Sequence, residues 1–172
     1  MTEIIAVVAI LLSLGSLLVA YLSYRITKSE QQKRAPDFSL AVLNSYQKHN
    51  VVSGHRLYSF QMSVKNLSVS NNSVVEVGLA ITYKTSENIL MTALLSMSEE
   101  TPAGNFNEHA KLPINFEPNH AQSFWCHFVA QEGMLNDMKV QSYTVIAVDA
   151  AANHFSEAAG FVAEHVDYVQ KD

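Results

Sequence analysis

The feature that most constrains this chain is an apolar run from Ile4 to Tyr24 that contains no charged residue. A helix of about twenty apolar residues is long enough to cross the hydrocarbon core of a bilayer. The sequence therefore predicts an N-terminal transmembrane helix over residues 1–24. Residues 25–36 are predicted to extend it as a basic juxtamembrane helix and linker, because Lys, Glu, Gln and Arg favour helix and Pro36 stops it.

Small side chains within this run recur at steps of four and three residues, which places them on one face of a helix. Helices in lipid associate where small residues let their backbones approach closely. The pattern predicts an interface with another transmembrane helix, from a second copy or from a different membrane protein. The predicted interface residues are Ala6, Ala9, Ser13, Ser16, Ala20 and Ser23. The alternative is that Ala and Ser are merely tolerated there, since small residues are common in such helices.

The charges around the apolar run predict how it is oriented. The N-terminus has no Lys or Arg, and a small-residue cleavage site is missing, so an uncleaved anchor is favoured over a signal peptide. The residues predicted to lie at the membrane surface are Arg25, Lys28, Lys33 and Arg34. Positive charge on this side predicts an outside N-terminus and a domain facing the cytoplasm, in a single-pass protein of the inner, cytoplasmic membrane of the cell.

The remainder of the chain is long enough to form one domain with its own core. From Asp37 onward it carries seven basic and fourteen acidic residues, a formal charge near −7. An acidic domain without a basic stripe argues against nucleic-acid binding. The chain has one cysteine, Cys126, which excludes a disulfide within the chain and fits a reducing compartment.

Beyond Pro36, apolar and polar residues alternate in short segments. Tyr58, Phe60, Met62 and Val64 face one way and the residues between them the other, which is the pattern of a half-buried strand. Strands are predicted at 38–43, 57–65, 74–83, 112–116, 123–129, 140–148 and 154–162. Residues 89–97 fit a helix and a strand equally well. Loops are expected at Gly54 and 99–107, a helical turn at 132–137 and a tail at 163–172. The fold class predicted is mainly β: the transmembrane helix followed, over 37–172, by an antiparallel immunoglobulin-like β-sandwich of about seven to nine strands.

Three stretches together resemble the small membrane-anchored immunoglobulin-like proteins of bacteria, many of unknown function. They are Phe60–Ser68 with Ser73–Val77, Leu112–Asn119, and Val145–Asp149 with the turn that follows. Where that pattern usually has glycine, this chain has Asn119 and the turn Ala-Ala-Ala-Asn after Asp149. The resemblance implies a fold and an anchor, and it implies no reaction.

Cys126 lies in the segment that most resembles a chemical site. Blue-copper sandwiches use Cys, His and Met ligands within about ten residues, and Cys126 and Met134 have that spacing. His127 does not fit, because adjacent residues of a strand point to opposite faces. Cys126 is therefore predicted to be an inert buried thiol, with a copper site or a Cys–His nucleophile as the less favoured alternatives. Trp125 is expected to belong to the core.

No other motif points to chemistry. The seven histidines (49, 55, 109, 120, 127, 154 and 165) form no zinc-binding pattern, and there is no phosphate-binding loop or nucleophile elbow. Glu99, Glu100 and Asp167 are expected to be solvated. Asn66-Leu-Ser and Asn71-Asn-Ser match the glycosylation pattern, which has meaning only outside the cytoplasm.

These observations favour a non-enzymatic interaction module without a cofactor or metal. The predicted role is an accessory or scaffold subunit of a membrane assembly, with the lipid bilayer and another transmembrane helix as its partners. The main alternative is an extracytoplasmic domain, of opposite topology, that binds a ligand or an envelope component. A copper carrier or a Cys126-dependent enzyme is the third.

Overall fold

The computed structural model describes residues 2–49, 55–98, 110–131, 134–135, 138–160 and 162–164, with side chains from Leu12 onward except that of His49. One helix and nine strands lie in these ranges. They are α1 Thr2–Arg34, β1 Phe38–His49, β2 Arg56–Asn66, β3 Asn72–Lys84, β4 Leu90–Ser96, β5 Ile114–Phe116, β6 Ala121–Ala130, β7 Lys139–Asp149, β8 His154–Ala159 and β9 Ala163–Glu164. The chain divides into two units, Met1–Ala35 and Pro36–Asp172.

The first unit is α1, and its C-terminal end lies where Pro36 predicts it. The N–H of Ala35 donates to the carbonyl oxygens of Gln31 and Gln32, at 3.1 and 3.3 Å. Pro36 has no N–H with which to continue the helical hydrogen bonds. The predicted helical extension through Arg34 is thereby confirmed.

The prediction that this helix crosses a membrane is wrong. In the part of the chain that the structure describes, no helix has both the length and the apolar character that a bilayer crossing requires. The single-pass topology built on this helix is wrong with it.

The second unit contains two sheets, so the chain is mainly β. One sheet has the strand order β6-β2-β1-β9, and the other has the order β4-β3-β7-β8 with β5 paired to the start of β3. Hairpins join β1 to β2, β3 to β4 and β7 to β8, while β6 returns to the first sheet beside β2. This arrangement of hairpins and crossovers is that of a two-sheet sandwich.

The pairing of β4 with β3 decides the segment that the sequence left ambiguous. Leu90–Ser96 pairs residue by residue with Gly78–Lys84, in antiparallel register and without a bulge. Ala93 and Leu95 are buried towards the core, while Leu90, Thr92 and Leu94 are exposed on the other face. Residues 89–97 are therefore strand, because tertiary pairing rather than local spacing determines their conformation.

Two C-terminal predictions need correction. The strand predicted for residues 154–162 ends at Ala159, before Gly160. Ala163 and Glu164, predicted to begin a tail, form β9, which pairs in parallel with Tyr46 and Gln47 of β1. The sheet that contains β1 is therefore not purely antiparallel. The predicted loops at Gly54 and 99–107, all but two residues of the predicted turn at 132–137, and residues 165–172 lie outside the described residues.

The core lies between the two sheets and uses the faces that alternation predicts. Tyr58, Phe60, Met62 and Val64 of β2 are all fully buried. They meet residues of the opposite sheet such as Leu79, Ile81 and Val145, which are buried equally well. Aromatic contacts link the layers, with the rings of Tyr58 and Tyr143 5.6 Å apart between centroids.

Candidate interaction surface

A polar groove of about 680 Å³ lies at one end of the sandwich. It is lined by the start of β3, the end of β5 and the turn after β7, including Asn72, Ser73, Asn115, Glu117 and Asp149. Clefts of this size can hold small ligands when several polar groups converge in them. The two residues that anchor the groove's loops, Asn72 and Asp149, instead use their side chains within the protein itself.

Asn66 is the centre of one of these loops, and its side chain is fully buried. Its Nδ2 donates to the carbonyl oxygens of Ser70 at 2.8 Å and Glu117 at 3.1 Å. Its Oδ1 accepts from the backbone N–H and the hydroxyl of Ser68 and from Asn72 Nδ2. An Asn side chain offers two donors and two acceptor lone pairs, so these bonds use its capacity. Asn66, the acceptor residue of the first glycosylation pattern, is therefore a buried structural residue. Asn71, the acceptor residue of the second pattern, is exposed.

Asp149 shapes the second loop in a similar way, at 3% exposure. Its Oδ1 accepts the backbone N–H groups of Ala151 and Asn153, both at 2.8 Å, and its Oδ2 accepts Asn153 Nδ2 at 2.9 Å. The carboxylate thus stabilises a tight turn in which Ala152 has a φ of 63°. Both oxygens serve the turn, so the Asp149 carboxylate has a structural use at the rim of the groove.

Cys126 and His127 lie on opposite faces of β6, as their adjacency predicts. Cys126 pairs with Phe60 across the sheet and is fully buried in the core. Burial raises the pKa of its thiol to about 12, so at neutral pH it is protonated and a poor nucleophile. The predicted burial of Cys126 is confirmed.

His127, on the face of β6 opposite to Cys126, is fully buried as well. Its Nδ1 lies 2.9 Å from Ser59 Oγ on the neighbouring strand, and Ser59 is also fully buried. Backbone contacts flank this position: Ser98 N donates to His127 O at 2.7 Å, and Ala110 N donates to Trp125 O at 3.0 Å. A buried Ser–His pair without solvent access is a structural element of the sheet.

Metal-ligating residues are scattered over the described ranges of the chain. Within those ranges, no three His, Cys, Asp or Glu side chains lie close enough together to hold a metal ion. The predicted histidines 109 and 165 and the acidic residues Glu99, Glu100 and Asp167 lie outside them.

The predicted helix interface is described only in part, since the side chains of Ala6 and Ala9 lie outside the described set. Ser13, Ser16, Ala20 and Ser23 are exposed on α1. The hydroxyl of Ser16 donates a hydrogen bond to the carbonyl oxygen of Leu12 in its own helix, at 2.9 Å. The four basic residues predicted at a membrane surface, Arg25, Lys28, Lys33 and Arg34, are exposed. The interface and the surface contact both stay predictions.

An exposed apolar edge of the second sheet is the surface best suited to a partner. β4 carries no charge and no proline, and its exposed side chains include Leu90 at 61%, Met91 at 48% and Leu94 at 65%. Ile89, which precedes it, is 53% exposed. Edge strands that must stay solitary usually carry charges, prolines or bulges. β4 has none of these and continues with Met97 into the contact with β6.

The backbone of β4 is also oriented for pairing. Thr85 N donates to Ile89 O, and Met97 N donates to Val77 O, so residues 89 and 97 both bond towards β3. In an antiparallel pair the bonded residues alternate with residues whose N–H and C=O point away. The outward groups of β4 therefore belong to Leu90, Thr92, Leu94 and Ser96, and no described strand pairs with that side.

Two other described sheet edges, those at β6 and β8, are protected. The side of β6 away from β2 accepts hydrogen bonds from Ser98 and Ala110 and forms a bridge with Met97. β8, at the far edge of the second sheet, carries His154 and Glu157. Among the edges that the structure describes, β4 combines an open row of backbone groups with uncharged apolar side chains.

No family model matches this chain, and no curated protein sequence does. Similar solved structures include a protein assigned as ApaA from Bordetella pertussis, 8% identical, over 72% of this chain and 88% of that one, with a TM-score of 0.35. The sporulation control protein Spo0M from Bacillus subtilis is 10% identical over 76% of this chain and 50% of that chain, with a TM-score of 0.37. A β-glucosidase from Listeria innocua is 8% identical over 77% of this chain but 17% of its own, with a TM-score of 0.37. Likenesses this remote carry no argument about function.

Sequence reasoning missed the β4 surface. Leu90, Leu94 and Met97 have the spacing of a helix face, and the strand alternative would place Leu90 and Leu94 together on one side of a sheet. The absence of any charge between Asn88 and Met97 was the signal that could have identified an open edge.

Proposed function

We propose that this chain is a non-enzymatic protein-interaction module, an accessory or scaffold subunit of a protein assembly, and that β4 is its docking edge. The observation that carries the proposal is the outward row of N–H and C=O groups from Leu90 to Ser96, flanked by exposed leucines. A partner that adds an extended strand to such an edge gains backbone hydrogen bonds, and its alternate side chains contact the apolar ones.

The chemistry of the core supports a binding role over a catalytic one. The Cys126 thiol is buried and protonated, the Ser59–His127 pair is enclosed, and Asp149 is committed to its turn. Each of the groups with catalytic potential in these positions has a structural use. The outer side of β4, in contrast, pairs with no strand in the described part of the second unit.

A photo-cross-linking amino acid placed at position 94 tests the proposal in cells that produce the full chain. We expect covalent adducts with a protein at position 94, because the Leu94 side chain is 65% exposed on the outer face of the edge strand. The matched control is the same amino acid at Ser156, an exposed residue of β8 in the same sheet. The proposal fails if position 94 gives no more adduct than position 156.

A proline at Thr92 provides the second arm. The N–H of Thr92 points away from β3, so Thr92→Pro removes an outward donor while leaving the bonds to β3 in place, a position where edge strands tolerate proline. We expect Thr92→Pro to abolish the adduct at position 94 and Thr92→Ala, which keeps the N–H, to retain it. Circular dichroism of both variants verifies that the β structure is unchanged. Equal adduct yields in the two variants would show that strand addition is not the mode of binding.

A further inference from the structure

We infer that the strand that docks on β4 is β4 of a second copy of this chain, added antiparallel about a two-fold axis that passes beside Thr92. The inference rests on the proposed docking edge and names its occupant. It joins the β4-β3-β7-β8 sheets of two copies into one continuous sheet.

The arrangement of side chains on the outer face of β4 is symmetric about Thr92. Leucine lies two residues before it and two residues after it, as Leu90 and Leu94. In an antiparallel pair centred on Thr92, each Leu90 lies opposite Leu94 of the second copy, and the two threonines lie opposite each other. Directly opposed side chains in such a pair are neighbours at about 4.5–5.5 Å between Cβ atoms, so the leucines that are exposed in one copy cover each other in two.

On the inner face of β4, side chains that are large and exposed lie opposite side chains that are already packed. The same register places Met91 opposite Ala93 of the second copy, twice, and Ile89 opposite Leu95. Met91 and Ile89 are 48% and 53% exposed, whereas Ala93 and Leu95 are 8% and 7% exposed. Each large, exposed side chain therefore meets a residue that is already packed, which leaves it room to lie against the partner edge.

The backbone parity agrees with this register. The outward N–H and C=O groups belong to the even-numbered residues from 90 to 96, and a two-fold axis at Thr92 pairs Leu90 with Leu94 and Thr92 with Thr92. These residues are all even-numbered, so their outward groups face each other across the axis. The three pairs (Leu90 with Leu94, Thr92 with Thr92, and Leu94 with Leu90) would form about six hydrogen bonds, two in each pair. A strand offset by one residue at this edge would place its outward groups opposite residues whose own N–H and C=O groups point away.

The paired strands themselves bring no charge to the contact, because β4 contains no ionisable residue. Lys84 of β3 lies behind Leu90 of its own copy and is separated by it from the second copy. Each copy carries a net charge of −5, so long-range repulsion weakens association at low salt and added salt screens it. An edge contact of this length is smaller than a standard interface, which places the dimer in the weak, transient class.

Disulfide trapping of the full chain tests the register. Opposed residues of a bonded antiparallel pair have Cα atoms about 5.5 Å apart, a separation that a disulfide can bridge. We expect Thr92→Cys to give a covalent dimer on mild oxidation with diamide. The control is Thr82→Cys, on β3 directly beside Thr92 but one strand further from the axis, which should stay monomeric. Cys126 is buried and stays in place in both variants.

A second pair of variants distinguishes this register from its neighbours. Leu90→Cys alone and Leu94→Cys alone should not cross-link, because each lies opposite the other residue. An equimolar mixture of the two should cross-link as a heterodimer, at least tenfold above either variant alone. Cross-linking of Leu94→Cys with itself, or none with Thr92→Cys beyond the Thr82→Cys control, would overturn the inference.

The outcomes separate this inference from the proposal on which it rests. If position 94 forms photo-adducts only with a different protein and Thr92→Cys does not dimerise, β4 is a docking edge for another partner and the inference fails alone. If position 94 forms no adduct and Thr92→Cys does not dimerise, both fail. Photo-adducts between two copies together with the Thr92→Cys dimer support both.

Discussion

Ser59 Oγ and His127 Nδ1 lie 2.9 Å apart on adjacent strands, and both side chains are fully buried on the face of the sheet turned away from the core. A hydrogen bond in such a place is worth more to the fold than its typical net contribution, because losing one partner leaves the other desolvated. The pair fixes β2 against β6 at the point where Ser98 and Ala110 also bond to β6.

The first prediction concerns this pair. Ser59→Ala should lower the free energy of unfolding by about 1–3 kcal/mol, because it removes the hydrogen bond to His127 and leaves a buried polar atom behind. Ser63→Ala, on the same strand and face but half-buried, is the matched control and should change it by less than about 0.5 kcal/mol. Urea denaturation of both variants measures the difference. Equal effects would mean that the pair adds nothing specific.

Asn66 gives the second prediction. Asn66→Ala removes the donors that serve Ser70 O and Glu117 O and the acceptor that serves Ser68. The free energy of unfolding should fall by about 2–3 kcal/mol, the cost of leaving buried backbone groups unsatisfied. Asn71→Ala, in the same loop but exposed, should be nearly neutral. Thermal unfolding of the two variants provides the comparison, and a neutral Asn66→Ala would contradict the role assigned to this side chain.

The third prediction uses the backbone of the turn after β7. Ala152 has a φ of 63°, a left-handed conformation that costs a residue with a Cβ about 1–2 kcal/mol. Ala152→Gly relieves this cost, less the entropy that glycine adds to the unfolded chain. We expect a gain of about 0.5–1 kcal/mol in denaturant unfolding. Ala151→Gly, at the preceding residue, also increases the entropy of the unfolded chain but relieves no left-handed backbone, so it should destabilise the protein. A gain in stability for Ala151→Gly as well would contradict the explanation.

Alkaline pH gives the fourth prediction. Burial raises the pKa of Cys126 from 9.0 to about 12, and burial, followed by the charge of the neighbouring Tyr58, raises the pKa of Tyr143 from 10.0 to about 12. Above pH 9 the unfolded chain releases these protons and the folded chain does not, so unfolding is favoured. Stability should be unaffected by these groups below pH 9 and should fall from pH 9 towards pH 12.

The variant Cys126→Ala isolates the thiol's share of that fall. Its free energy of unfolding should depend less steeply on pH between 9 and 12 than that of the parent, by at most about 1.4 kcal/mol per pH unit. Between pH 6 and pH 8 the two proteins should have parallel profiles, displaced only by the cost of the smaller side chain. An unchanged alkaline slope would show that Cys126 does not contribute to it.

Much of the sandwich could be predicted from alternation, because a strand with one buried face repeats every two residues. β2 and β7 were recovered almost to their ends, and the faces of β2 were assigned correctly. The turn residue Asn119 was informative as well. It stands where the immunoglobulin-like pattern described above usually has glycine, and it has a φ of 55°. Asparagine tolerates that conformation better than most residues.

The remainder required long-range information. β4 was ambiguous because Leu90 and Leu94 satisfy both the helical and the strand period, and only its pairing with β3 distinguishes them. β9 consists of two residues whose partner, β1, is more than a hundred positions away in the chain. The burial of His127 depends on contacts with Ser59 and with the backbone at Ser98, which no local pattern contains. The helix was predicted correctly to its end at Arg34, and the part of that prediction that failed is the crossing of a membrane.

Cys126 is the one sulfhydryl of the chain, and it is enclosed at the centre of the core. We therefore expect a reagent such as a maleimide dye to reach it only when the sandwich opens, since Cys126 has no exposed surface in the folded protein. The labelling rate of the native protein is then the intrinsic rate multiplied by the fraction of open molecules. The purified chain thus contains its own reporter of folded-state occupancy, which can be read at equilibrium and without denaturant.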